Sequence, residues 1–247
     1  MEKVILQGQT SKIVIVEGPR AVGKSTFARH LVELGFFASY STLSDPTTRL
    51  AAEQDPTGWL QSLRRPAIID EAQLLSELPL ALKEFVDTQL QPGNQFLLTG
   101  SASLGRSGLG GADPLARRSR RYEMRPLTLA EINGWAPYTP SLVDQLFDGE
   151  PNAGTYAVSN GSRLTGLLQR GGFPSYAFSS DSLNKAALSA QIRSDIDSVL
   201  GDHVLPDERF DAYRARSILD ALVRVPGGML NVTELGKQIG LDRRTVD

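Results

Sequence analysis

The chain contains no cysteine. Disulfides, thiolate metal sites and cysteine nucleophiles are therefore excluded. Histidine is nearly absent too: His30 and His203 are the only two, and neither has a partner at ligand spacing. Nothing in their spacing points to a histidine metal site. No run of residues approaches the length and apolarity of a membrane span, and the first twelve residues, MEKVILQGQTSK, lack the apolar core of a secretory signal. Neither sign of charge dominates. The formal net charge is −2, so the whole molecule exerts no strong pull on nucleic acid or anionic lipid. These absences point to a cytoplasmic protein with no membrane contact. The two tryptophans, Trp59 and Trp135, read as packing or interface residues.

What is present is a folded-protein composition, 40% hydrophobic and 22% charged, patterned as alternating strands and helices. Lys12 to Val16 is a short continuous apolar run, as in a strand covered on both faces. A turn follows, then Ser25 to Leu34 with Phe27, Leu31 and Leu34 at helical spacing and Gly35 as a stop. Further apolar runs lie at Ala67-Ile68-Ile69 and Phe96-Leu97-Leu98, with a helix expected over Ser76 to Leu90 between them. Residues 36 to 43 are a weaker strand candidate. This alternation predicts a mainly parallel sheet between helices, a three-layer α/β/α domain. Residues 104 to 114 carry four glycines and a proline and read as a loop.

After about residue 140 the pattern turns helical. Leu188, Ile192, Ile196 and Val199 form one stripe, and Phe210, Ile218, Ala221 and Val225 another. Residues 231 to 246 read as helix, tight turn, helix start, with Thr233 and Asp242 as N-caps and Gly240 as a stop. The expected division is 1–137 for the α/β domain and 138–182 for a linker or helical extension. Residues 183–247 would then begin a helical domain with a truncated helix-turn-helix of winged-helix type. The chain end at Asp247 falls one turn into the second helix, which suggests a piece of a longer protein. Arg243 and Arg244 at that helix start suit contact with DNA, and the same unit suits packing or a protein interface equally.

The chemistry is carried first by Gly18-Pro19-Arg20-Ala21-Val22-Gly23-Lys24-Ser25, which fits G-x-x-x-x-G-K-[ST]. The backbone N–H groups of such a loop, and the helix that follows, bind phosphates. Lys24 can reach the β- and γ-phosphates, and Ser25 can ligate Mg²⁺. The predicted nucleotide contacts run from Gly18 to Thr26. A chain of this length carries the pattern by chance roughly once in a hundred, and the strand before it and helix after it are the required context.

Second comes Ile68-Ile69-Asp70-Glu71, an apolar run ending in two carboxylates. In a P-loop enzyme the Asp at a strand end holds Mg²⁺. A Glu beside it can take a proton from the attacking water. Taken alone, such a tetrapeptide is equally a strand ending in solvated acids. Third, Phe96-Leu97-Leu98-Thr99-Gly100-Ser101 sets Thr99 and Ser101 at another strand tip, where one of them could sense the γ-phosphate.

These segments together resemble AAA+-like bacterial and archaeal ATPases in which an ATPase domain precedes the domain DUF4143. Leu43-Ser44-Asp45-Pro46, Asp55-Pro56, Leu115-Ala116-Arg117-Arg118, Arg125-Pro126-Leu127-Thr128-Leu129-Ala130-Glu131 and Gly171-Gly172-Phe173-Pro174 add to the resemblance. It implies Mg²⁺-dependent binding and hydrolysis of ATP, with the acidic-pair strand and the sensor strand on one side of the P-loop strand. Arg117 stands where the family usually has glycine.

Arg117, Arg118, Arg120, Arg121 and Arg125 form a cluster with three open readings. It is a solvated basic loop, a contact to nucleic-acid phosphate, or the source of an arginine finger from a neighbouring copy. The resemblance points to Arg118 for the last, and with it to a homo-oligomer. The main rival to an ATPase is a nucleotide-regulated module with slow hydrolysis that grips DNA or protein. A small-molecule kinase is disfavoured, because Asp70-Glu71 suits activation of water.

Overall fold

The computed structural model describes residues 11–88, 95–100, 113–133, 161–179, 185–203, 212–223 and 231–240. Five strands form one sheet: β1 (Ile13–Glu17), β2 (Ser39–Thr42), β3 (Ala67–Asp70), β4 (Phe96–Gly100) and β5 (Ser119–Glu123). Their order is β2-β3-β4-β1-β5 and every pairing is parallel. Parallel neighbours need crossovers, and helices supply them. The helices of this part are α1 (Lys24–Glu33), α2 (Pro46–Gln54), α3 (Pro56–Ser62), α4 (Leu78–Thr88) and the short α5 (Leu129–Ile132). The acidic-pair strand β3 and the sensor strand β4 lie on the same side of β1, as the family resemblance implies.

The apolar runs are explained by burial on both faces. Alternation along the strands sends Ile13, Ile15, Ile69, Phe96 and Leu98 into one layer, against Leu60 of α3 and Leu78, Leu82, Phe85 and Val86 of α4. Val14, Val16, Ile68 and Leu97 point the other way, against Ala28 and Leu31 of α1. A strand with two apolar neighbours cannot alternate with polar residues, so it reads as an unbroken hydrophobic run.

Two helices follow from a local rule. Asp45 accepts a hydrogen bond from the Thr48 N–H at 2.9 Å, with Pro46 at the first position of α2. Asp55 does the same for the Gly58 N–H at 2.9 Å, ahead of Pro56 in α3. Both Asp-Pro pairs are thus N-cap plus pre-set first turn. The helix expected at Ser76 to Leu90 is α4, which begins two residues later. Gly35 takes a left-handed φ of 77° just past α1.

β5 bears on one of the three open readings of the arginine cluster: over Ser119–Glu123 the chain is a strand and not a solvated loop. Its apolar content is too low to signal a strand: only Tyr122 contributes, and its two arginines mimic a solvated segment. Its place at the sheet edge, paired on one side to β1 alone, explains the tolerance for charge.

The chain divides into two compact units, Met1–Phe178 and Ser179–Asp247. The first also holds α6 (Gly161–Arg170) and α7 (Pro174–Ala177). The second holds α8 (Lys185–His203), α9 (Ala212–Leu222) and α10 (Val232–Ile239). Leu188, Ile192 and Ile196 are half-buried along α8 while their neighbours are exposed. Arg216 of α9 pairs with Asp197 of α8. The N-cap of α10 is Asn231, which accepts from the Glu234 N–H at 3.2 Å, and not Thr233. An Asx side chain one position before the helix is the stronger cap, and it starts the helix earlier. Gly240 ends α10 at φ 70° as expected. Arg243, Arg244 and the second helix of the helix-turn-helix lie outside the described residues, as do Ser101 and Trp135. No helix among the described residues is long and apolar enough to cross a membrane.

Asp55→Ala removes the cap of α3 and is expected to cost about 1 kcal/mol. Chemical denaturation read by circular dichroism checks this, with a midpoint shift at unchanged slope as the expected form.

Candidate functional site

All five strands run the same way, so their C-terminal tips share one edge of the sheet, the edge where open α/β sheets bind ligands. At that edge the chain places Gly18 after β1, Asp70 and Glu71 at the end of β3, and Thr99 in β4. The register sets Thr99 beside Val16 and Leu98 beside Ile69. β4 therefore carries Thr99 between the phosphate-loop strand and the acidic strand.

The loop after β1 turns sharply. Ala21 and Gly23 have φ of 58° and 103°, left-handed values that redirect backbone N–H groups. Gly23 precedes α1 with no side-chain cap, and the first turn of α1 has no acidic residue. This contrasts with α2, α3, α5 and α10, whose N-termini are capped by Asp45, Asp55, Thr128 and Asn231. An N-terminus without a side-chain cap or an acidic first turn is one that can receive an anion. Ser25, half-buried, and Thr26, exposed, lie in that first turn. Pro19 and Arg20 are exposed at the mouth of the loop. Val22 is buried and anchors it.

Lys24 is buried, and its Nζ donates to the carbonyl oxygens of Gly18 at 2.9 Å and Pro19 at 2.7 Å. Burial pulls its ammonium below the ordinary lysine range, while Glu71 and Asp70 push it back up and Arg20 lowers it further. The lysine thus senses both carboxylates across the site.

Asp70 is 3% exposed. A charge so removed from water needs donors. Thr99 Oγ1 donates to one carboxylate oxygen, and Tyr40 donates its hydroxyl to the other at 2.6 Å. Thr99 is itself fully buried and also accepts from the Glu71 N–H at 3.3 Å. A hydroxyl has one proton, and that of Thr99 is committed to Asp70. Glu71 sits at φ 56°, a left-handed value that is costly for a residue with a Cβ. Its carboxylate accepts from the Gln73 amide. The phenol of Tyr40 is held above its ordinary range by burial, then by its hydrogen bond to Asp70 and the Asp70 charge, opposed by Arg29. It remains a donor.

Two further segments hold the loop from outside. The Met124 N–H donates to Glu17 O at 2.7 Å, and Met124 O comes so close that a Cβ on Gly18 would lie 2.2 Å from it. The Leu127 N–H donates to Gly172 O at 2.7 Å. A Cβ on Gly23 would lie 3.8 Å from the ring of Pro174. The Gly171-Gly172-Phe173-Pro174 segment therefore packs beside the phosphate loop, a placement that its sequence alone does not signal.

The arginine cluster is dispersed. Arg118 precedes β5 at the opposite edge of the sheet, where its backbone O accepts from the Ile13 N–H. Its guanidinium grips Asp87 with two bonds of 2.6 and 2.7 Å. This pairing raises the Arg118 pKa and lowers that of Asp87. Arg121 bridges Glu17 and Asp113, and Arg125 pairs with Glu123 at 2.8 Å. Arg118 cannot serve the nucleotide of its own chain from that edge.

A family model described as AAA domain matches residues 10–133, half of the chain. The chain belongs to this AAA domain family. The AAA domain is a P-loop nucleotide-binding domain, and its matched residues include Gly18 to Thr26, Asp70, Glu71 and Thr99. The chain is also similar to solved structures. A mutant of RuvB from Thermotoga maritima is 17% identical, with 99% of this chain and 80% of that chain covered and a TM-score of 0.45. AMPPCP-bound DnaA from Aquifex aeolicus is 13% identical, with 99% and 82% covered and a TM-score of 0.46. Aeropyrum pernix ORC1 in complex with DNA is 15% identical, with 98% and 77% covered and a TM-score of 0.35. No curated protein matches the chain.

Among the described residues no group of three or more His, Cys, Asp or Glu is placed to hold a metal ion by itself. Mg²⁺ at an AAA domain does not need one, because it takes one or two carboxylates together with phosphates and water. Ser25 at the start of α1 and Asp70 at the end of β3, together with a nucleotide, would supply that kind of donor set, so the residues present fit the ion.

Gly172→Ala would drive a Cβ to 2.2 Å from Leu127 O. The backbone must shift and the Leu127–Gly172 bond must give. The expected cost is about 1–3 kcal/mol, read as a lowered melting temperature. Gly166→Ala in α6, with open space at its Cβ, is expected to raise stability by about 0.5–1 kcal/mol.

Proposed function

We infer that this AAA domain binds ATP with Mg²⁺ and hydrolyses it, using Gly18 to Thr26 for the phosphates and Glu71 as the general base. The observation that supports this most is the Asp70–Thr99–Glu71 arrangement, one buried hydroxyl tying both acids to the tip of the strand next to the phosphate loop. A solvated acidic turn would need no such tie.

The roles follow from the chemistry of each group. Backbone N–H groups of the loop and of the α1 N-terminus receive phosphate oxygens. Lys24 carries positive charge to the β/γ region. Ser25 and Asp70 would hold Mg²⁺, which supplies charge neutralisation on the β- and γ-phosphate oxygens. Glu71 takes the proton from water. Its carboxylate must first leave the Gln73 amide, and it is free to swing because its backbone, not its side chain, is pinned by Thr99. Thr99 acts through the acids, while Ser101 stands as the alternative γ-phosphate sensor. Arg118 is proposed as a residue that acts across an interface between copies, after releasing Asp87. Residues 183–247, which hold α8 to α10, are proposed as the start of a DUF4143-like domain, with residues 138–182 as the linker or helical extension before it, on the strength of the family resemblance. DNA or protein is its proposed partner.

Glu71→Gln keeps the size of the side chain and removes the base. Turnover should fall by about 10²–10⁴-fold, with ATP affinity within a few-fold of wild type. Phosphate release measured beside fluorescent-ATP titration separates the two. Turnover at the wild-type rate would make Glu71 a structural acid.

A further inference from the structure

Tyr40 belongs to none of the motifs. It lies on β2, in register with Ile68 of β3. Ile68 and Asp70 share a strand face, and from its own strand Tyr40 reaches along that face to the Asp70 carboxylate. Its hydroxyl donates to Asp70 Oδ2 at 2.6 Å, while Thr99 donates to Oδ1. The two donors come from β2 and β4, the strands that flank β3. Asp70 is therefore gripped from both sides, and turning its carboxylate plane would break both bonds. Each carboxylate oxygen has a second lone pair, which is left for a metal ion or its water. The ring of Tyr40 is held in turn. The Arg29 guanidinium lies 5.2 Å above its centroid, and Arg29 is on α1, the helix that begins at Lys24. A continuous path of contacts thus runs from the phosphate-loop helix through Arg29 and Tyr40 to Asp70.

We propose that Tyr40 is a positioning residue whose hydroxyl aims Asp70 at the Mg²⁺ site and so sets the divalent-cation requirement of nucleotide binding. The proposal rests on the reading of Asp70 as the Mg²⁺ carboxylate. The ring alone accounts for the packing against the α1 layer, so a phenylalanine fills the same space and isolates the hydroxyl. Groups that orient a metal ligand from behind typically carry a 10–100-fold effect on metal affinity.

The test compares wild type, Tyr40→Phe and Asp70→Asn by fluorescent-ATP titration over a range of Mg²⁺ and in EDTA, with melting temperatures as a control on folding. Tyr40→Phe is expected to raise the Mg²⁺ concentration for half-maximal tightening about tenfold. Its affinity in EDTA should equal wild type, and its melting temperature should stay within about 4 °C. An unchanged Mg²⁺ requirement in Tyr40→Phe, with a raised one in Asp70→Asn, overturns the positioning role and leaves the Asp70 assignment standing. An unchanged requirement in both variants overturns the Asp70 assignment and the Tyr40 proposal together. Equal weakening of Tyr40→Phe with and without Mg²⁺ marks a purely structural tyrosine and also overturns the proposal.

Discussion

A carboxylate at 3% exposure is the constraint around which this edge of the sheet is arranged. Asp70 is withdrawn from solvent, and a polar side chain in that position is tolerated only with hydrogen-bond partners in place. Thr99 and Tyr40 supply them from the two neighbouring strands. Those donors exist only because β4 lies between β1 and β3 and β2 lies on the far side of β3. The strand order is thus what permits the buried acid. The same order sets the phosphate loop one strand away from it.

The two apolar layers make that order rigid. β1, β3 and β4 are buried on both faces, so a one-residue slip of any of them would exchange its two sets of side chains between layers of different shape. The outer strand β5 is held differently. Arg121 reaches back to Glu17 at the end of β1, and the Met124 N–H closes on Glu17 O. An edge strand of this composition stays in register through charge and backbone pairing, with little apolar burial of its own.

Much of the site is readable in the sequence because its motifs are local. Gly18 to Ser25, Asp70-Glu71 and Thr99 each end an apolar run, and an apolar run of that length is a strand. The unread parts depend on tertiary placement. Tyr40 looks like an ordinary strand aromatic until β2 is docked beside β3. The Gly171–Pro174 segment is far in sequence from the loop it packs against. β5 hides because an edge strand needs few apolar residues, so its arginines resemble a solvated loop. The Asp-Pro pairs before α2 and α3 are legible by rule, as caps followed by a fixed first turn, although they first stand out only as part of a family pattern. At α10, Asn231 and Thr233 are both good cap residues three positions or fewer before an acid, and only the backbone separates them.

The central claim is that one Mg²⁺-nucleotide site is built where the tips of β1, β3 and β4 meet. Calorimetric titration of the wild-type chain with a non-hydrolysable ATP analogue tests it most directly. The account predicts one nucleotide per chain in the presence of Mg²⁺ and a markedly lower affinity in EDTA. Absence of binding, or binding indifferent to Mg²⁺, would contradict it.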